Sequence, residues 1–518
     1  MSSNIFVTKN GKLDQAASSD LSALPGRTQA HHLHLHGGLV SRAKGESIAT
    51  SLASQSPTGM GLDHSKYAQS FFIWQSGALE VLPDAFINLV TNDRLYKRIV
   101  AKLIELLMRR LNVPVSDSGA AATRFRSLGS VSGGLPNISQ IERMIGGLDD
   151  LSSPFAKFES NLFAESDIGT RSVEVVGSSS ESNFSQEFRN ILQSDRGFLD
   201  SIASVASAAT TTDDVRLAAT RSAGPSRIGA NGYAMLARLN QELTGRVILE
   251  KSHTRGAVAF GTKLLTAAGE VAGRCYRRFK SGRDHGLHAT VVEEVVRQFY
   301  GDFLGIATWK AMTDDALAHS SIGGFGRQYI DCLIAMGVTE LSITAHSAGS
   351  IIASGLIDYV SSNNLELKFN LLLLAPAIRS DAFAKLVVPS TSKIKSCHLL
   401  RLSDALERSD PVLGPKKGFI YPSSLLYLVS GLAEQEDSGA AYVDAPILGM
   451  QRFTNSSFLT PELEAVTDAK ISNFFAGQHR SIGHSIIDGV CDSQTHGGFD
   501  STELCIKTMS RFVAREWP

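Results

Sequence analysis

The chain has 518 residues, 43% of them hydrophobic, and its 50 Lys+Arg against 51 Asp+Glu leave a net charge of −1. That balance excludes a global basic field for nucleic acid, and the ordinary apolar fraction provides for a large core. The length allows two to four domains, or one large α/β core carrying an insertion.

The N-terminus, Met1-Ser-Ser-Asn-Ile-Phe-Val-Thr-Lys9, has no long apolar h-region, which predicts a chain that stays in the cytoplasm. Five cysteines, Cys275, Cys332, Cys397, Cys491 and Cys505, lack metal-ligand spacing. An odd number fits reduced thiols better than a disulfide framework. The most apolar stretches, 258–276 and 419–433, are broken by Lys263, Glu270 and Arg274 in one and Pro422 in the other. Neither offers an uninterrupted run that could span a bilayer.

Residues 1–30 read as a polar, extended entry with a short strand at Ile5–Val7. His31-His-Leu-His-Leu-His36 then alternates with the period of a strand and runs into Gly37-Gly38. A helix is expected from about Ala43 to Ser54 and a second strand at Ser70–Gln75. Strand, helix, strand implies a parallel unit. Apolar positions at helical spacing predict a helix over Ala85–Leu111, ended by Asn112 and Pro114.

From about 114 to 322 the alternation of strand and helix disappears. Residues 114–140 and 166–186 are rich in Ser, Gly and Asn and read as loops. Ala257, Phe260, Leu264, Ala268, Val271, Cys275 and Phe279 form a stripe at spacings of three and four, which is a helix. Its basic end, with Arg274, Arg277, Arg278, Lys280 and Arg283, has two readings. The cations complement the helix dipole of a packed helix, or they face an anionic surface such as phospholipid headgroups. Thr290-Val-Val-Glu293 fits a capping box. The whole stretch is expected to be a mainly helical cap.

Core-type elements resume with a helix over Arg327–Met336, a strand over Glu340–Ala345, a helix over Ser350–Ser361 and strands over Lys368–Leu374 and Lys395–Leu402. Lys470–Ala476 is a weaker candidate for the last strand, and Ser501–Arg515 reads as a closing helix. Between the strand and helix at 340–361 lies Ala345-His-Ser-Ala-Gly349. A serine on so sharp a turn needs tiny residues two places before and after it, and Ala345 and Gly349 meet that demand.

In this order the chain resembles the α/β-hydrolase superfamily of lipase- and esterase-like serine hydrolases. The resemblance covers about 1–113 and 322–518, with 114–322 as the cap insertion. It rests on the strand ending in His36-Gly37-Gly38, the nucleophile elbow at Ser347, an acid after a later strand and a histidine before the final helix. It implies an α/β-hydrolase core with a mostly parallel sheet flanked by helices, and a triad in the chain order nucleophile, acid, histidine. Matched here, these are Ser347, Asp404 and His496, with Asp410 and His484 as the alternative acid and base. The oxyanion hole would use the backbone N–H of Ala348 and one from the Gly37-Gly38 loop. A serine hydroxyl needs an imidazole to take its proton, and the imidazole needs a carboxylate behind it.

The expected activity is hydrolysis of a carboxylic ester, of a small molecule or a lipid, through an acyl-enzyme on Ser347 and with no cofactor. Two other classes stay open. His32, His34 and His36 share one strand face and could hold a metal for metal-dependent hydrolysis, or the fold could be a catalytically silent binding module.

Overall fold

The computed structural model describes residues 4–26, 29–38, 40–56, 58–74, 94–110, 178–208, 253–304, 306–412, 421–434, 444–454, 468–486 and 488–517. Contacts divide the chain into two compact units, one of Met1–Glu80, Thr308–Asp410 and Ser424–Pro518, the other of Val81–Ala307 and Pro411–Ser423. These boundaries differ from the expected insertion at 114–322.

The first unit is α/β. Its strands are β1 (Asn4–Lys9), β2 (Lys12–Leu13), β3 (Ala30–Leu35), β4 (Tyr67–Trp74), β5 (Glu340–His346), β6 (Lys368–Leu374), β7 (Ile394–Arg401) and β8 (Arg480–His484). They build one eight-stranded sheet in the order β2-β1-β4-β3-β5-β6-β7-β8, parallel throughout except for β2. A strand covered on both faces must be apolar at nearly every position, and Phe369–Leu374 of β6 is buried at all of them.

The β1–β2 hairpin turns through Asn10-Gly11, both at positive φ (51° and 68°). Asn-Gly suits a tight hairpin because both central residues must adopt that conformation. The last strand is Arg480–His484; the expected strand over Lys470–Ala476 is instead helical through Phe475.

Strand order explains where a site can form. From β3 the chain moves one way across the sheet to β4, then returns to the other side of β3 for β5. The order therefore reverses between β3 and β5, and crevices in α/β sheets open at the carboxyl ends of strands flanking such a reversal. The carboxyl end of β3 runs into His36-Gly37-Gly38 and that of β5 into Ser347.

The histidines of β3 are core residues. His32 Nε2 and His34 Nδ1 lie 2.9 and 2.8 Å from the same Thr344 hydroxyl. Burial pulls His32 and His34 down to about 3, and His36 and His319 to about 4. A histidine kept neutral in the fold but protonated at about 6.5 when unfolded contributes stability in full above that pH, and loses it as pH falls towards the folded value. Each of the four costs up to about 1.4 kcal/mol per pH unit in that window. Melting temperature should therefore be level from pH 8 to about 7 and drop steeply below about 6.5. A calorimetric profile flat to pH 5 would contradict the buried, neutral imidazoles.

The second unit, in its described part, is helical: Arg94–Arg110, Ser178–Ser194, Arg196–Ala208, His253–Lys280 and Leu287–Leu304. Residues 114–140 and the start of the helix expected from Ala85 lie outside the described residues. Ser178–Ser194 is a helix where 166–186 reads as loop. Its Phe184, Phe188 and Leu192 are buried, a stripe that the surrounding serines obscure. The expected capping box is also replaced, since the helix begins at Leu287 and the Thr290 hydroxyl accepts the His285 N–H at 2.8 Å.

The basic helix end is internally paired. Arg274 reaches Glu294 at 2.8 Å, Arg277 reaches Glu181, and Arg278 reaches Glu293 and Glu294 at 2.7 and 3.0 Å. Arg278 and Arg283 are buried. Among the described residues, no helix is long and apolar enough to cross a membrane.

Candidate active site

Ser347 stands at φ 51°, a left-handed conformation that costs a non-glycine residue about 1–3 kcal/mol and persists where surroundings enforce it. Here they do so through the backbone. Ser347 N–H donates to the Leu374 carbonyl at 2.9 Å, while its own carbonyl accepts the Ala377 N–H at 3.0 Å and the Ser350 hydroxyl at 2.6 Å. The helix Gly349–Ser362 starts at once. A Cβ on Gly349 would lie 2.5 Å from the Leu35 carbonyl oxygen, so only glycine lets the helix start against the end of β3.

His496 comes from the other end of the chain, on a single turn, His496–Gly498, before the last helix Glu503–Val513. Its Nε2 lies 2.9 Å from Ser347 Oγ. Burial first, then the charge of His346, pulls His496 down to about 3, with Asp500 opposing. The ring is therefore neutral at ordinary pH, and a neutral Nε2 can accept the serine proton.

The loop after β3 closes the other side. A Cβ on Gly37 would sit 3.1 Å from Ser347 Cβ, and one on Gly38 would sit 3.4 Å from Ala348 Cβ and 2.1 Å from Met312 Sδ. A side chain at Gly37 would therefore press on Ser347, and one at Gly38 would displace the flexible Met312 side chain. Among the described residues, no acceptor meets the Ala348 N–H.

The expected acids lie elsewhere. Asp404 is buried at the start of the short helix Asp404–Ser409, where Arg452 holds it at 2.8 Å and Arg408 at 2.9 Å, with the Tyr427 hydroxyl bonded to the same carboxylate. Asp410 accepts the His496 backbone N–H at 2.6 Å, and burial raises its carboxyl. Neither bonds the His496 ring, whose Nδ1 has no hydrogen-bond partner among the described residues. His484 is on β8, not in a loop, and accepts from Arg401 Nε at 3.1 Å rather than serving Ser347.

The carboxylate that meets an imidazole of this cluster is Asp500. Its Oδ2 lies 3.1 Å from Nδ1 of His346, the residue before the serine, and His346 Nε2 lies 2.8 Å from the His496 carbonyl oxygen. Burial alone would raise Asp500, but His346 beside it brings it down to about 2. Burial opposes protonation of His346, yet the Asp500 charge and hydrogen bond outweigh it and raise the ring. Sequence reading passes over both. The signal available was the four-residue spacing of His496 and Asp500 together with a histidine directly preceding the elbow serine.

The segment carrying His496 and Asp500 is closed by a Cys491–Cys505 disulfide spanning 14 residues, which corrects the expectation of reduced thiols. Closing a loop of that length removes about 3 kcal/mol of unfolded-state entropy. Among the described residues, Cys491, Asp492 and Cys505 are the one group whose donors converge on a metal's scale, and its two sulfurs are bonded to each other. The β3 histidines form no such group.

No protein-family model matches this chain, and no curated protein or solved structure proved similar to it.

Proposed function

We propose that the protein is a serine hydrolase of α/β-hydrolase type that cleaves a carboxylic ester through an acyl-enzyme on Ser347. The observation that carries this reading is the 2.9 Å approach of His496 Nε2 to the hydroxyl of a serine held at φ 51° between a strand and a helix. A serine held in a strained conformation beside a neutral imidazole is arranged for nucleophilic attack.

In this mechanism the Ser347 Oγ–H proton passes to His496 Nε2 as Oγ bonds the ester carbonyl carbon. The carbonyl electron pair moves to oxygen, which turns towards the Ala348 N–H and the backbone of Gly37-Gly38. Collapse expels the alkoxide, which takes the proton from His496, and the same ring then activates water to release the acid. A lipid ester is the finer form of the proposal. Membrane contact through Arg274, Arg277 and Arg278 is not part of it, because each is engaged by a glutamate.

A panel of chromogenic esters with short and long acyl chains, assayed on wild type and His496→Ala with and without a chelator, tests the reading. Turnover that ignores the chelator and falls by about 10⁴-fold or more in the variant is expected. Turnover that survives His496→Ala, or that a chelator abolishes, moves the chemistry away from the Ser347–His496 pair.

A further inference from the structure

Hydrogen-bond direction fixes the proton count beside the elbow. A carbonyl oxygen only accepts, so His346 Nε2, 2.8 Å from the His496 carbonyl, must carry a hydrogen. On the other side Nδ1 meets Asp500 Oδ2 at 3.1 Å, and that bond needs a proton of its own. The pair therefore holds one proton more than a neutral imidazole with an ionised carboxylate. It is a buried unit of zero net charge, both side chains about 5–6% exposed.

We infer that Asp500 and His346 are the positioning residues of the proposed hydrolase: Asp500 is the acid of the site, acting on His496 through the His346 ring and the His496 main-chain carbonyl. The inference rests on the serine hydrolase reading and adds the acid that it lacks.

The arrangement has a physical logic. Among the described residues the His496 imidazole has no partner on Nδ1, so besides the Ser347 bond its placement comes from its backbone. That backbone is gripped on both sides, the N–H by Asp410 and the carbonyl by His346. His346 adjoins Ser347 in sequence, so one ring ties the peptide of the base to the peptide of the nucleophile. The His346 and His496 rings stand 5.2 Å apart, and Asp500 offsets the His346 charge when His496 takes up the serine proton. The groups facing His346 are Asp500, His496 and Phe499 from the C-terminal segment, and His34 and His36 from β3, which interact with it electrostatically. His34 and His36 are held neutral, leaving Asp500 as the carboxylate that sets the His346 proton.

Asp500→Asn separates this role from a merely structural one, because an asparagine amide can still donate to a neutral His346 Nδ1 while the extra proton is lost. In the full-length protein, selectively ¹⁵N-labelled at histidine, the wild-type His346 ring should show both nitrogens protonated at a pH where the variant ring is already neutral. The variant should show a neutral ring with hydrogen on Nε2 alone, and its kcat on a chromogenic ester should drop about 100-fold with KM within about threefold. A wild-type His346 that is neutral wherever the variant ring is, or an Asp500→Asn enzyme with wild-type kcat, overturns the inference. Should Asp500→Asn not fold, His346→Gln, which keeps an N–H for the His496 carbonyl, is compared with His346→Ala. Recovery of at least about tenfold in kcat supports the role, and equal loss overturns it. Fluorophosphonate labelling of wild type and Ser347→Ala is run alongside. Equal labelling of the two removes the hydrolase reading and the role with it, whereas serine-dependent labelling with unaffected Asp500→Asn kinetics removes the role alone.

Discussion

Ser347→Ala is expected to lower kcat on any ester substrate by about 10⁴- to 10⁶-fold while leaving the fold intact. The serine methylene stays in place, the backbone bonds from Leu374, Ala377 and Ser350 do not involve its hydroxyl, and only the bond to His496 is lost. Ser347→Gly sharpens the test. Glycine adopts φ 51° without steric cost, so this variant should be as inactive as the alanine variant yet more stable, by about 1 kcal/mol. Activity lost together with stability gained separates a strained nucleophile from an ordinary turn residue. Thermal denaturation beside steady-state kinetics reads both quantities. A Ser347→Gly protein that is less stable than wild type would show that the positive φ stores no strain.

Asp404→Ala is expected to do the reverse, costing about 3–5 kcal/mol of stability and comparatively little catalysis. The substitution removes the Asp404 carboxylate from Arg452, which is about 1% exposed, and takes away one ion-pair contact of Arg408 and one hydrogen bond of the Tyr427 hydroxyl. A buried guanidinium that loses a bidentate carboxylate cannot recover that energy from water. Denaturant unfolding should register the loss. The kcat measured well below the transition should stay within about tenfold of wild type, far from the about 10⁴-fold penalty of removing a triad carboxylate. Full stability with the larger kinetic loss would return Asp404 to the catalytic role that its place after β7 suggests.

The two aspartates show why the site was only partly legible in sequence. Ser347 stands out as a candidate because a nucleophile elbow has a local steric signature, tiny residues at fixed distances on a strand-to-helix turn, and that signature is a property of adjacent residues. His496 was chosen by chain order, a coarser guide, and the structure brings its ring to 2.9 Å from the Ser347 hydroxyl. The acid had no such signature. Asp404 occupies the expected position, but Arg452 is 48 residues further on, and no local pattern reveals that it claims the carboxylate. Asp500 acts through His346, 154 residues away in sequence, so the pairing exists only once β5 and the last segment are folded together.

The fold was legible on similar terms. Strands β4, β5 and β6 carry clear apolar runs, and β3 shows the period of a strand in its alternation of His and Leu. β8 was misplaced because Arg480–His484 is polar and half-exposed at the sheet edge, while the neighbouring Phe474 and Phe475 supply the apolar signal from a helix. The disulfide escaped because parity of the cysteine count says nothing about which two thiols the fold brings together.

The central claim is that Ser347 is a nucleophile activated by His496. Treating the folded, full-length protein with a fluorophosphonate and locating the adduct by peptide mass spectrometry tests it most directly. The account predicts a single adduct, on the tryptic peptide carrying Ser347 and at that serine, and none in the His496→Ala protein. An adduct on another residue, or an unmodified Ser347 in folded wild-type protein, would contradict it.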